Sequence, residues 1–170
     1  MNVSEQEDFG NAVLRHIDAA YNLARWLVRD PTDAEDVVQE AYLRALKYRD
    51  GFDGRNLRAW LLSIVRNTCY TRLSKDQGWT EFDELEHGGS YVDAEADSIT
   101  RIDAERLKVL LLHLPVEYRE ILILRELEDL SYREIAEVAD IPVGTVMSRI
   151  ARARKRLRTA AAEHMGVLPT

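Results

Sequence analysis

Apolar residues recur at steps of three and four along most of the chain, and no stretch shows the two-residue alternation of a half-buried strand. That period places one apolar stripe on each helix and commits the chain to an all-α fold. Residues 9–28 carry Val13, Ile17, Ala20 or Tyr21, Ala24 and Leu27 or Val28 at this spacing, which predicts one amphipathic helix. Asp30-Pro31 ends it, because a residue before proline disfavours the α region. Thr32 with Glu35 reads as the capping box of a second helix running to about residue 48, with Val38, Ala41, Ala45 and Leu46 inward. After the turn-rich Asp50-Gly51-Phe52-Asp53-Gly54, a third helix is predicted over 56–74, with apolar positions Leu57, Trp60, Leu61, Ile64 and Thr68.

Helical spacing resumes over 99–112. Pro115 can open a helix over 116–127, with Ile121, Leu122, Leu124 and Leu127 apolar. Residues 131–161 hold two more helices around a break at Asp140-Ile141-Pro142. Between the two helical groups, residues 77–97 lack a clear period and read as a linker. The simplest architecture is two small helical bundles joined by an acidic linker, divided as 1–76, 77–97 and 98–170.

The net charge of −7 argues against nucleic acid until its distribution is read. Residues 1–75 balance 11 Lys/Arg with 11 Asp/Glu, and residues 101–170 hold 12 and 11. Residues 76–100 hold 8 acids and no Lys/Arg, so the excess lies in the linker. A local cationic face decides where phosphate binds. One cysteine, Cys69, precludes an internal disulfide, reads as a small structural residue and suits a reducing cytoplasm. No apolar run is long enough to cross a bilayer, so no membrane insertion is expected. No metal set, cofactor motif or nucleophile–base pair can be assembled, which argues against an enzyme.

The C-terminal end carries the clearest motif. Ser131 and Glu134 form a capping box at the start of a short helix. After Pro142, Val143, Val146, Ile150, Ala153 and Leu157 form an inward stripe, leaving Thr145, Ser148, Arg149, Arg152, Lys155 and Arg156 opposite. From 143 to 158 there are six cations and no acid. Short helix, tight turn and basic helix make a helix-turn-helix suited to a DNA major groove. Its early hydroxyls and arginines can reach base edges, and its later cations can meet phosphates.

In the N-terminal half, residues 54–75 hold Arg55, Arg58, Arg66, Arg72 and Lys75 and no acid, with Ser63, Arg66, Asn67, Tyr70 and Ser74 on a polar face. Cations interleaved with aromatics suit strand backbones and unstacked bases. Trp60 shares the apolar face with Leu57 and Ile64, which favours a core role over base stacking. Asp33, Asp36, Gln39, Glu40 and Arg44 form the outer face of the second helix; spacing leaves open whether it docks a protein or is simply solvated.

These segments resemble a known family. Residues 33–46 (DAEDVVQEAYLRAL) are similar to the polymerase-docking helix of bacterial sigma factors, and 56–67 (NLRAWLLSIVRN) to their promoter-melting helix. Residues 114–158, including LSYREIA at 130–136 and PVGTVMSR at 142–149, resemble their C-terminal DNA-binding domain. With only these two domains the chain looks like the small extracytoplasmic-function (ECF) group. The resemblance implies core RNA polymerase, promoter DNA and an anti-sigma factor as partners. Asp33, Asp36, Gln39, Glu40 and Arg44 would dock on the β′ clamp helices, and the β flap would be a second polymerase contact. The loop 50–55, with Asp53 and Arg55, would hold a flipped base of the minus-ten element. Arg58, Arg66, Asn67 and Lys75 would meet DNA around it. Thr145, Ser148, Arg149, Arg152, Lys155 and Arg156 would face the minus-thirty-five element, and the linker would thread near the RNA exit path. Where the family commonly carries an acid, four residues after Asn67, this chain has Thr71, which touches the exact minus-ten preference. Two rival functions share some of these features: a sigma mimic that captures an anti-sigma factor without transcribing, and a stand-alone helix-turn-helix regulator. The cations on both faces argue against the first, and the N-terminal motifs against the second.

Overall fold

The computed structural model describes residues 2–77 and 103–164, so most of the acidic linker lies outside the described residues. Among the described residues every regular element is helical. The N-terminal half holds α1 (Val3–Leu14), α2 (Ile17–Val28), α3 (Pro31–Lys47) and α4 (Leu57–Gln77), with a short 3-10 turn, Arg49–Gly51. The C-terminal half holds α5 (Ala104–His113), α6 (Val116–Leu122), a π-helical turn (Ile123–Leu127), α7 (Tyr132–Ala139) and α8 (Val143–His164).

The helix expected over 9–28 is two helices. The His16 N–H bonds to the Val13 carbonyl, three residues back, and His16 takes φ −105° and ψ 11°, outside the α region. The break lets α1 bring Val13, and α2 bring Leu23, Ala24 and Leu27, into one core. Helix α3 starts two residues earlier than the Thr32 box implied. Asp30 is its cap, accepting from the Asp33 N–H at 3.0 Å, and Pro31 takes the first helical position, where a missing N–H costs nothing. Ala34, Val37, Val38, Ala41 and Ala45 are buried on α3, and Leu46 is half-buried. Asn56 caps α4 through a 3.0 Å bond from the Ala59 N–H.

Helix α4 is the central element, packing on α2 and α3 on one side and on α7 on the other. Its buried set, Ala59, Leu61, Leu62, Val65, Thr68, Cys69 and Tyr70, is therefore wider than the predicted single stripe. Tyr70, assigned above to the polar face, is only 9% exposed. Trp60 is half-buried, edge-on against Phe9 and tilted against Phe52, with centroids 6.2 and 5.2 Å away, so one side packs on the core.

In the C-terminal half, Ser131 and Glu134 form the predicted capping box. Two apolar assignments change. The Glu128 N–H reaches five residues back to the Ile123 carbonyl, and this wider turn rotates Leu127 outward to 57% exposure. Val143, the first residue of α8, is 37% exposed because the stripe engages only from Val146, with Ile150, Ala153 and Leu157 buried behind it.

Candidate nucleic-acid and polymerase-docking surfaces

Helix α3 presents one polar face. Asp36, Glu40 and Arg44 retain 52%, 48% and 42% side-chain exposure, and Gln39 is exposed between them. Asp33 is partly covered: Arg72 of α4 donates to its Oδ1 at 2.9 Å and to Asp36 Oδ2 at 3.4 Å. Arg44 donates to Glu40 Oε1 at 2.6 Å one turn away. Pairs this exposed contribute little to stability, about 0–1 kcal/mol, so the carboxylates remain available to a partner.

The loop before α4 is shaped by Asp53, whose Oδ1 accepts the Arg55 N–H at 2.9 Å, and by Gly54 at φ +85°, a left-handed conformation that favours glycine. Asp53 and Arg55 are largely exposed. A cleft of about 310 Å³ lies behind them, lined by Asp53, Asn56, Trp60 and Ser63 and by Arg133 and Glu137 of α7.

Farther along α4, the assigned residues separate. Asn67 and Lys75 are exposed, and Thr71 donates its hydroxyl to the Asn67 carbonyl at 3.0 Å. Arg58 and Arg66 instead engage the C-terminal half. Arg58 Nη2 donates to the Glu128 carbonyl at 2.6 Å and to Glu128 Oε2 at 2.8 Å. Arg66 makes a two-pronged contact with Glu120, Nε to Oε2 at 2.8 Å and Nη2 to Oε1 at 3.2 Å. Glu120 is fully buried and the Arg66 side chain is 15% exposed. Asn56 Nδ2 donates to Glu134 Oε2 at 2.9 Å. Burial alone would lower the Arg66 pKa, but the hydrogen bonds and charge of Glu120 outweigh it and push the value up, so the guanidinium stays charged. The Cys69 thiol is pushed up to about 12 by burial and then by Glu120, which leaves it neutral and unreactive.

The opposite end of the contact between halves is built from arginines on carbonyls. Arg119 of α6 is 3% exposed and donates from Nε to the Trp26 carbonyl at 2.6 Å and from Nη1 to the Leu114 carbonyl at 2.9 Å. Arg29, held at φ +69°, donates in return to the Leu112 carbonyl. Burial pulls the Arg119 pKa down to about 10, still cationic at neutral pH. Arg119 and Glu120, and the pairing of Arg72, were missed by sequence reasoning, because their partners lie far along the chain and leave no local period.

The helix-turn-helix is assembled as the spacing implied. Asp140 closes α7 in the left-handed conformation (φ 54°, ψ 51°), with its N–H on the Ala136 carbonyl. The Ile141 N–H bonds to the same carbonyl at 3.1 Å, and Val146 N–H to Pro142 at 3.1 Å starts α8. On α8, Lys155 and Arg156 are exposed, while Thr145, Ser148, Arg149 and Arg152 are half-buried. Ser148 donates to the Thr145 carbonyl at 3.1 Å. Burial pushes the Glu117 carboxyl up, and the nearby charge of Arg149 opposes that rise. Met147, absent from the predicted set, is 53% exposed in the first turns of α8. No helix among the described residues is long and apolar enough to cross a membrane.

Two family models match the chain: "Sigma-70 region 2" over residues 12–80 and "Sigma-70, region 4" over residues 104–157. The chain is 32% identical to the ECF RNA polymerase sigma factor SigW of Bacillus subtilis, over 91% of this chain and 89% of that protein. It is 33% identical to the ECF RNA polymerase sigma-E factor of Escherichia coli, over 90% and 86%. Among solved structures, the sigma factor RpoE of Bartonella quintana, in complex with the anti-sigma factor NepR, superimposes with a TM-score of 0.69 at 30% identity, covering 95% of this chain and 98% of that one. CnrH in complex with the cytosolic domain of CnrY gives 0.69 at 29% identity, over 93% and 90%.

Proposed function

This chain belongs to the ECF sigma factors of bacterial RNA polymerase, and on that premise we propose how its surfaces divide the work of promoter-specific initiation. As a member it is an initiation factor that binds core polymerase and directs it to promoters. The finer assignments are ours. The α3 face of Asp33, Asp36, Gln39, Glu40 and Arg44 docks on the β′ clamp helices. The loop 50–55 and its cleft take an extruded base of the minus-ten element, a step that costs a few kcal/mol and so gains from a preformed site. Arg58, Arg66, Asn67 and Lys75 meet the DNA beside it. Helix α8 enters the major groove of the minus-thirty-five element: Thr145, Ser148, Arg149 and Arg152 face bases, and Lys155 and Arg156 face phosphates. The β flap contacts the C-terminal half, where Leu111, Leu122 and the exposed Leu127 line an apolar groove of about 450 Å³. The domain division, 1–76 for docking and minus-ten recognition and 98–170 for upstream recognition, follows from this assignment. An anti-sigma factor is a further partner, supported by the likeness to RpoE in its complex with NepR.

One observation carries the reading: an exposed carboxylate face on α3 stands apart from α8 on the other half, whose residues 143–158 hold six cations and no acid. The test is run-off transcription with core polymerase on genomic promoter fragments. Discrete start sites that depend on the added chain support it. Core binding without any transcript would instead mark a sigma mimic, and tight operator binding without polymerase a stand-alone regulator.

A further inference from the structure

We propose that Met147 recognises the 5-methyl group of a thymine in the upstream promoter element, which makes it a specificity-determining residue beside the hydroxyls and arginines of α8. The proposal rests on the assignment of α8 as the helix that enters the major groove.

Among the described residues of the C-terminal half, the exposed large apolar side chains are Val109, Leu127, Val143 and Met147. The last two lie on the first two turns of α8, four residues apart and so on one face. The core side of the helix is already filled: Val146, Ile150, Ala153 and Leu157 are each 4% exposed or less, while Met147 keeps 53%. Met147 also stands farther out than its polar neighbours, since Thr145, Ser148, Arg149 and Arg152 are half-buried. Beside it the surface is open, and a Cβ built on Gly144 would meet nothing within 4 Å. An unbranched, polarizable thioether on so bare a turn can follow the contour of a groove floor. Charge decides what covers it. Residues 143–158 carry six cations and no acid, so this apolar spot is set in a surface that draws phosphate. At the base edges of a major groove the one methyl group belongs to thymine, and the other bases present hydrogen-bond donors and acceptors. A thioether donates no hydrogen bond and accepts only weakly, so Met147 gains little from guanine or adenine and is complementary to thymine. Packing the methyl on the thioether also takes the apolar surface of both out of water.

The experiment uses the full chain with core polymerase on a promoter fragment whose start site depends on it. Each thymine of the upstream element, on either strand, is replaced in turn by uracil, which lacks only the methyl. At one position or more, binding should weaken about threefold to fivefold, the effect of one apolar carbon losing its contact. Met147→Ala should bind the thymine promoter more weakly and lose the uracil effect. Met147→Leu, apolar and similar in size, should restore it. Comparing both promoters in both proteins cancels any change that uracil makes in the duplex itself. Val109→Ala, an exposed apolar truncation on α5, should keep the effect. An upstream element without an A·T pair, or uracil tolerated at every position, would overturn the proposal and leave the α8 assignment standing. A uracil effect that persists in Met147→Ala gives the methyl to another side chain and overturns it equally. If scrambling the whole upstream element leaves binding unchanged, the α8 assignment falls and the proposal with it.

Discussion

Arg119 joins the two halves, and its removal has a calculable effect. Its guanidinium serves carbonyls at two helix ends, Trp26 and Leu27 on α2 at 2.6 and 3.4 Å, and Leu112 and Leu114 beside α5 at 3.3 and 2.9 Å. These belong to the C-terminal carbonyls that a helix cannot satisfy itself. A hydrogen bond to a charged group contributes about 1.5–3 kcal/mol, so the two short ones together amount to about 3–6 kcal/mol. Arg119→Met keeps the aliphatic packing but takes the side-chain donor from the Trp26 and Leu114 carbonyls. It also removes the desolvation that pulls the Arg119 pKa down, an offset that brings the net loss to about 3 kcal/mol. For a chain of 170 residues that lowers Tm by about 6–12 °C. Arg119→Lys, with one compact ammonium, reaches carbonyls on one side only and falls between. Thermal unfolding followed by circular dichroism, with urea unfolding at room temperature, measures both. A Tm within about 2 °C of the parent for Arg119→Met would refute the claim that this side chain closes both helix ends.

Three further outcomes follow from the surfaces. Arg149→Ala or Arg152→Ala should weaken recognition of the upstream element by about 1–3 kcal/mol where the lost contact is to a base, and unchanged selectivity across promoter variants in both would remove them from the reading set. Asp36→Ala with Glu40→Ala should impair competition for core polymerase while shifting stability by no more than about 1 kcal/mol, since both are exposed; undiminished competition would count against that face. Acid should separate two glutamates of opposite sign. The Ser131 backbone bond, then the Asn56 side chain, hold the Glu134 carboxyl below its ordinary 4.5, so its contribution is full above pH 4.5 and fades as pH falls below it. Burial holds Glu117 above 4.5, so its charge is a cost at neutral pH that protonation relieves. Urea unfolding should find Glu134→Gln destabilising and Glu117→Gln stabilising at neutral pH, both differences shrinking in acid; equal differences at every pH would overturn the argument.

The local features were legible in the sequence because they have short-range causes. The Ser131–Glu134 box, the α8 stripe from Val146 to Leu157 and the outward face of α3 each arise from residues three or four apart. The errors also have local causes. A three-residue hydrogen bond at His16 leaves the apolar spacing intact on both sides, so the break was invisible. One extra residue in the turn after Ile123 is enough to carry Leu127 off its stripe. The pairing of Arg66 with Glu120 could not be read at all. Both are ordinary polar positions on their own helices, and only the packing of α4 against the C-terminal half joins them. An arginine count singled out α4 as a basic helix but was silent on which of its cations the protein itself occupies.

Arg66 and Glu120 stand 54 residues apart in the chain. A ribosome adding about 5–20 residues per second makes the second about 3–10 s after the first. For that interval Arg66 has no Glu120 to pair with, and Arg58 no Glu128. The order of translation therefore leaves the first arginines made waiting for the glutamates that close on them.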